Sequence, residues 1–388
     1  MYGSAARAGC VAGLVVGLSA LAGCDPLIQE FRDQLGLPIN VAAGLQAETV
    51  VAEAAHPTGL AFAPDGRVFY SEKDTGRIRV MVDGKLLDAP FAEVPVNIAG
   101  DRGLLGIAVH PSFNANSRIY VFYTRSLTGQ VTSDPNAVAD NRVVYFVATG
   151  DVASEGEVFV AAIPAQGVGQ RVGGRIGFAS DGTLFVAVGD QGSLVAAQNT
   201  SRLSGKILRY NDDGTIPAGN PIANSAVYAR GLRDPQGLTF DPVSKLCFVT
   251  DQNLVSDHEI DRIEAGKDYG WPAVIGVADT PDELAYAAAT PEYVDPLFTS
   301  GSDFSPLVGV AFNPSTKYGL DSVLNLFYGV SDTQHIRRLV LADGRDGVAG
   351  EHGFAVGLPA LITDMAFTSA GTLYVACQNA ILRVVTFP

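Results

Sequence analysis

Cysteine is scarce in this chain. Four occur among 388 residues, and the two beyond the N-terminal segment, Cys247 and Cys377, each sit inside a strand-like apolar run in different repeats. That is too few for a disulfide scaffold, and both are expected as buried thiols. Basic residues are also short, with 26 Lys and Arg against 41 Asp and Glu, a formal charge of -15 and an isoelectric point near 4.7. Such a chain repels phosphate backbones and lacks a basic stripe, so nucleic acid is not an expected partner. Long helices are disfavoured as well. Forty-three glycines and 21 prolines exceed what they tolerate, and the apolar residues fall in short runs rich in Val, Ile, Phe and Tyr, as strands joined by tight turns require. With 47% hydrophobic and 17% charged residues, one large β domain with a sizeable core is affordable.

The N-terminus reads as an export signal. Arg7 supplies positive charge, and Val11 to Ala22 form an apolar stretch too short to span a bilayer. It ends in Leu21-Ala22-Gly23-Cys24, which resembles the bacterial lipobox, so residues 1-23 are expected as a lipoprotein signal peptide and Cys24 as the acylated first residue of the mature chain. The alternative is an ordinary cleaved signal with a chance cysteine. A lipid on Cys24 anchors the protein to a membrane of the bacterial cell envelope, on the periplasmic side of the inner membrane or on the outer membrane. Residues 24-45, with the amphipathic piece Leu27-Ile28-Gln29-Glu30-Phe31, are expected as a tether.

Beyond the tether the chain repeats. A short apolar run, a turn rich in Asp, Pro, Ser or Gly, and a second apolar run recur from Gly59 (Gly59-Leu60-Ala61-Phe62-Ala63-Pro64-Asp65-Gly66), Gly106, Arg175, Gly237, Gly309 and Asp364. Each copy reads as a β-hairpin. Spacings of roughly 45 to 75 residues leave room for four-stranded blades with loops of variable length. The expected fold is an all-β six-bladed propeller over residues 46-388, with no second domain.

Six pieces in order carry a family resemblance: Gly103-Leu104-Leu105-Gly106-Ile107-Ala108-Val109-His110-Pro111, Gly173-Gly174-Arg175, Val188-Gly189-Asp190-Gln191-Gly192, Ser204-Gly205-Lys206-Ile207-Leu208-Arg209, Gly231-Leu232-Arg233-Asp234-Pro235-Gln236-Gly237-Leu238 and Asp268-Tyr269-Gly270-Trp271-Pro272. The chain resembles the soluble glucose/sorbosone (aldose sugar) dehydrogenases that use pyrroloquinoline quinone (PQQ). The resemblance implies oxidation of an aldose to its lactone in a cleft at the top of the propeller. There cations bind the quinone's carboxylates, Ca2+ polarises it and a histidine accepts the sugar's proton. It also implies cofactor contacts at Gln191, Arg233, Gln236 and Arg175, calcium contacts at Glu259 and Tyr269, and backbone carbonyls of Asn253 and Leu254 on the cofactor-bound ion. Asp257 and Asp261 add oxygen ligands nearby; the alternative there is a solvated acidic loop.

Several positions depart from the pattern. The catalytic histidine falls on Arg171, and arginine stays protonated and cannot be a general base. Asp101 and Asp234 stand where two neutral amides are expected, and the expected lysine and arginine pair fall on Asp332, Leu361 and Thr363. At about 1.5 to 3 kcal/mol for each hydrogen bond to a charged group, three lost contacts weaken PQQ binding by about 5 to 9 kcal/mol. None of the five histidines is expected to act directly: His56 and His110 adjoin prolines at turns, His258 and His352 lie in polar loops, and His335 precedes a strand. Trp271 is expected to pack a blade corner. We therefore expect no turnover of glucose with PQQ. The alternatives are a different ligand or reaction in the same cleft, with Arg171, Arg175 and Arg233 holding an acidic sugar or other anion, or a non-catalytic binding or scaffold propeller.

Overall fold

A computed structural model describes residues 40–41 and 45–386, apart from residues 155 and 168. The signal peptide, Cys24 and most of the tether lie outside the described residues.

Six antiparallel sheets follow one another along the chain. Their innermost strands are Pro57–Phe62, Leu104–Val109, Gly173–Phe178, Pro235–Phe240, Leu307–Phe312 and Ile362–Phe367. Each packs on the next and the last packs on the first, so the sheets are blades of a closed ring. Closure is made by the strand Leu45–Ala52, which pairs antiparallel with Ala380–Thr386 and completes the sixth blade from the other end of the domain. Asn40 and Val41 pair with Val356 and Ala355 at the edge of the fifth blade. The domain thus begins at Asn40 rather than at residue 46, because these short segments gain ladder hydrogen bonds that sequence alone does not reveal.

The recurring turn has one geometry in three blades. Ala63, Ala179 and Thr368 each close their hairpin with hydrogen bonds to and from the far side of the loop. Gly66, Gly182 and Gly371 sit there at φ of 92°, 85° and 79°, a region costly for residues with a Cβ. The core lies between blades. Val80, Ile107 and Val121 join blades one and two, while Leu105, Ile176 and Val186 join two and three. Cys247 and Cys377 are buried and free, as expected.

Every innermost strand shifts register near its first residues, at 57/59, 104/106, 173/176, 235/237, 308/310 and 362/364. A bulge bends the strand and re-aims its side chains. Six such bends surround the axis and shape the upper end of the channel. The backbones come close here: a Cβ on Gly106 would overlap the carbonyl oxygen of Gly174 in the next blade. Gly106→Ala is therefore expected to cost about 1–3 kcal/mol, read as a lower urea midpoint with an unchanged slope.

Among the described residues three short α-helices, Phe113–Asn116, Leu194–Gln198 and Pro281–Ala289, were not expected from the sequence. The last begins with a capping box in which Thr280 and Glu283 bond reciprocally, with Pro281 in its first turn. It buries no residue, so it left no apolar periodicity to detect. Among the described residues no helix is long and apolar enough to cross a membrane.

Candidate functional site in the upper cleft

Above the bulges lies a cleft of about 790 Å³, lined by residues from all six blades. A smaller cavity of about 340 Å³ opens at the other end of the channel. Arg175 lines both and stands between them. It is 7% exposed, and its guanidinium donates to the carbonyls of Leu105 (3.3 Å), Gln236 (2.8 Å) and Thr363 (2.6 Å) on blades two, four and six. Arg175 is thus a floor for the cleft rather than a free cation offered to a ligand.

Arg171, at φ of 49°, enters the cleft from the loop before Gly173. Its backbone N–H donates to Asp101 (2.7 Å) and its Nε to Asp190 (2.6 Å). Asp190 is fully buried and also accepts from the Trp271 indole (2.9 Å) and from Gly192 N (2.8 Å). Trp271 is therefore part of the site's foundation rather than only a blade corner. Arg233 lies with its guanidinium carbon 5.3 Å from the Trp271 ring centre, a cation–π contact. Its Nη1 donates to the carbonyls of Gln252 (2.7 Å) and Asn253 (2.9 Å).

The acids are distributed differently. Asp101 is exposed in the cleft, while Asp234 is buried and accepts from Gln236 Nε2 at 2.9 Å. Burial, followed by the charge of Asp101, pushes Asp234 up to about 7. Gln191 does not line the cleft. Its amide is held by Asn141, Gln166 N, Pro164 O and Ser204, so the contact implied by the resemblance is spent on the fold.

Two histidines stand closer to the cleft than expected. His56 and His258 both line it. His258 accepts from Asn253 N at Nδ1 and faces Phe304 O at Nε2, so both nitrogens are engaged. His56 Nδ1 meets Asp74 at 3.0 Å, which fixes the ring against that loop. The signal missed in the sequence is Lys73-Asp74, which follows the second strand of the first blade and supplies both the partner of His56 and a cation of the cleft wall.

Leu361 and Thr363 do line the cleft, so the wall is uncharged where two quinone-binding arginines are expected, and Asp332 supplies no cation. The quinone site therefore fits poorly. Of the carbonyls expected to hold a cofactor-bound Ca2+, that of Asn253 already receives Arg233, and the Leu254 side chain is 58% exposed at the rim. A second cation there would meet the guanidinium at close range. Tyr269 directs its hydroxyl to Arg262 O (2.6 Å) and accepts from Glu264 N, away from Glu259. Glu259 itself stands with Asp251 and Asp261, all three buried, with carboxylate oxygens within 4.8 Å of one another. Neither oxygen of Asp261 has a hydrogen-bond partner, and a cation fits that group.

Closed blades with a polar cleft over a plugged channel define a propeller of the sugar-dehydrogenase class. The family profile described as Glucose / Sorbosone dehydrogenase matches residues 54–384, and the chain belongs to that family. A protein of Synechocystis is 32% identical over 65% of this chain and 66% of its own length. Quinoprotein glucose dehydrogenase B of Acinetobacter calcoaceticus is 34% identical over 58% of this chain and 51% of its own. The chain thus spans about half to just under two thirds of these relatives. A solved oxidoreductase of glucose dehydrogenase type from Thermus thermophilus superposes with a TM-score of 0.75 at 29% identity, covering 88% of this chain and 100% of that one.

Removing the floor of the cleft has a predictable cost. Arg175→Met strips a charged donor from three carbonyls and leaves Asp364, whose carboxyl burial raises, without its neighbouring cation. Unfolding in urea is expected to show a loss of about 3–5 kcal/mol.

Proposed function

We propose that this protein is a cell-envelope lipoprotein, anchored through Cys24, whose upper cleft binds an acidic sugar and has lost the family's histidine-dependent oxidation. The observation that carries the reading is Arg171. It occupies the position of the proton acceptor, is neutralised through Nε by Asp190, and among the described residues has no protein partner for its two Nη groups. Arg233 similarly retains an unpartnered Nη2 beside it. Two guanidinium ends on one wall match a carboxylate. Asp101, which accepts from Arg171 N, and Asp234, next to Arg233, can accept from sugar hydroxyls. An open cleft, rather than one filled by side chains, favours a small ligand over a pure scaffold.

A calorimetric titration with glucuronate, glucose and PQQ, the last with and without Ca2+, tests this. Glucuronate is expected to bind more tightly than glucose, and PQQ to bind no more tightly than millimolar. Arg171→Met is expected to weaken glucuronate about tenfold to a hundredfold, the worth of one charge-assisted hydrogen bond. Equal binding of glucose and glucuronate would overturn the ligand class.

A second reading rests on His56. Held by Asp74, its free Nε2 offers the cleft a base at a place the family pattern does not use. Under this reading dye reduction with an aldose, PQQ and Ca2+ is robust in the unaltered chain and disappears in His56→Gln. Under the first, neither protein reduces the dye, and Arg171→His alone restores nothing because Leu361 and Thr363 still supply no cation.

A further inference from the structure

The lower cavity is walled by the repeat itself. Each innermost strand is six residues long, and their fourth residues, Leu60, Ile107, Ile176, Leu238, Val310 and Met365, are all apolar and all line it. Phe240, Phe312 and Phe367, the last residues of their strands, extend that wall. Of the third residues four are glycine, and the other two are Arg175 and Asp364. A cavity of about 340 Å³ with apolar sides is thus met by one cation and one carboxylate.

The fold does not exhaust either group. A guanidinium has five N–H donors; three of those on Arg175 meet the carbonyls of Leu105, Gln236 and Thr363, which leaves two. Asp364 accepts from Leu60 N at 3.0 Å through Oδ2 and from the backbone of Met365, fewer bonds than a carboxylate can take. Burial raises the Asp364 carboxyl, and the charge of Arg175 opposes that rise. A ligand whose head carries a net charge would face repulsion from one of the pair: a carboxylate from Asp364, an ammonium from Arg175. A hydroxyl both donates and accepts, so it serves both at once. Water against the apolar wall has few partners, and an apolar chain that displaces it gains affinity.

We propose that the lower cavity is a second binding site, and that it takes an uncharged aliphatic alcohol with its hydroxyl at Arg175 and Asp364 and its chain along the ring of six apolar side chains. The volume falls at the small end of the range for small-molecule sites, about 300–1,000 Å³. At about 30 Å³ for a water-sized group, it holds about eleven such groups, enough for a chain of about eight carbons with its hydroxyl. The site shares only Arg175 with the upper cleft. The inference therefore stands whatever ligand the upper cleft takes.

The test is a calorimetric titration of the purified chain with 1-hexanol, 1-octanol, octanoate and octylammonium. Both alcohols are expected to bind at one site per chain, octanol about fifteenfold more tightly, since each buried methylene is worth about fourfold. Octanoate and octylammonium are expected to bind at least about tenfold more weakly than octanol. Ala366→Leu, which enlarges a small residue of the wall, is expected to weaken octanol about tenfold. Asp364→Asn keeps an acceptor for Leu60 N but leaves Arg175 unopposed, so the order inverts and octanoate binds more tightly than octanol. An unaltered chain that does not bind octanol would overturn the proposal, as would equal binding of octanoate or an unchanged octanol affinity in Ala366→Leu. A folded Asp364→Asn that keeps the original order would overturn the placing of the hydroxyl. Should that variant not fold, the head-group series in the unaltered chain decides the same point.

Discussion

The pairing of Leu45–Ala52 with Ala380–Thr386 holds the rest of the structure in place. Blades contact only their neighbours, so an open row would leave an apolar face at each end. Here those faces meet: Val51 and Ile381 from the closing sheet pack with Leu60, Tyr70 and Met81 of the first blade. Glu48 and Arg383, at opposite ends of the domain's sequence, form an ion pair across the same seam. Because the ring closes, six bulged strands must converge on one axis, and loops from every blade then border a single cleft. The site is a consequence of closure before it is a consequence of any side chain.

Convergence creates an electrostatic problem that the sequence solves locally. Inner-strand carbonyls crowd the axis, and Arg175 satisfies three of them from alternate blades. Asp190 is buried completely and is tolerated because Arg171, Trp271 and Gly192 all donate to it. Arg233 is anchored between two carbonyls and the face of Trp271. These contacts form one connected network, so the loss of a member is felt by the others rather than adding independently. Asp261, by contrast, is buried with no hydrogen-bond partner at either oxygen, and burial raises its carboxyl well above the usual range.

The fold was legible because its signal is repeated. Hairpin turns such as Pro64-Asp65-Gly66 and Ser180-Asp181-Gly182 recur with alternating apolar runs, and each copy supports the reading of the others. The site was less legible because it is assembled from positions distant in sequence. Nothing adjacent to Arg175 announces that it faces Leu105, Gln236 and Thr363, which lie 70, 61 and 188 residues away. Gln191 was placed in the cleft because its motif resembles a binding motif, yet packing against Asn141 and Ser204 claims its amide. His56 read as a turn residue, and only the fold brings its ring to the cleft wall. The helix Pro281–Ala289 escaped notice for the opposite reason: its cap was written in Thr280-Pro281-Asp282-Glu283, but with no buried face it had no period.

Much of what makes this chain recognisable belongs to its framework. Arg175, Gln191, Trp271 and the Asp190 between them lie in the motifs that carry the resemblance, and each is occupied in holding blades or loops together. Of the positions the resemblance assigns to the cleft, Arg233 and Gln236 are kept, whereas Arg171, Leu361 and Thr363 depart. Framework residues make many partners at once, so replacing one leaves several buried groups unsatisfied, whereas a residue facing the open cleft can change without disturbing the core. A scaffold under that constraint keeps its motifs while the residues on its cleft wall change. Membership of the glucose/sorbosone dehydrogenase family therefore describes how the chain folds and where it presents a cleft, and the wall of the cleft, with its arginines, acids and His56, decides what enters.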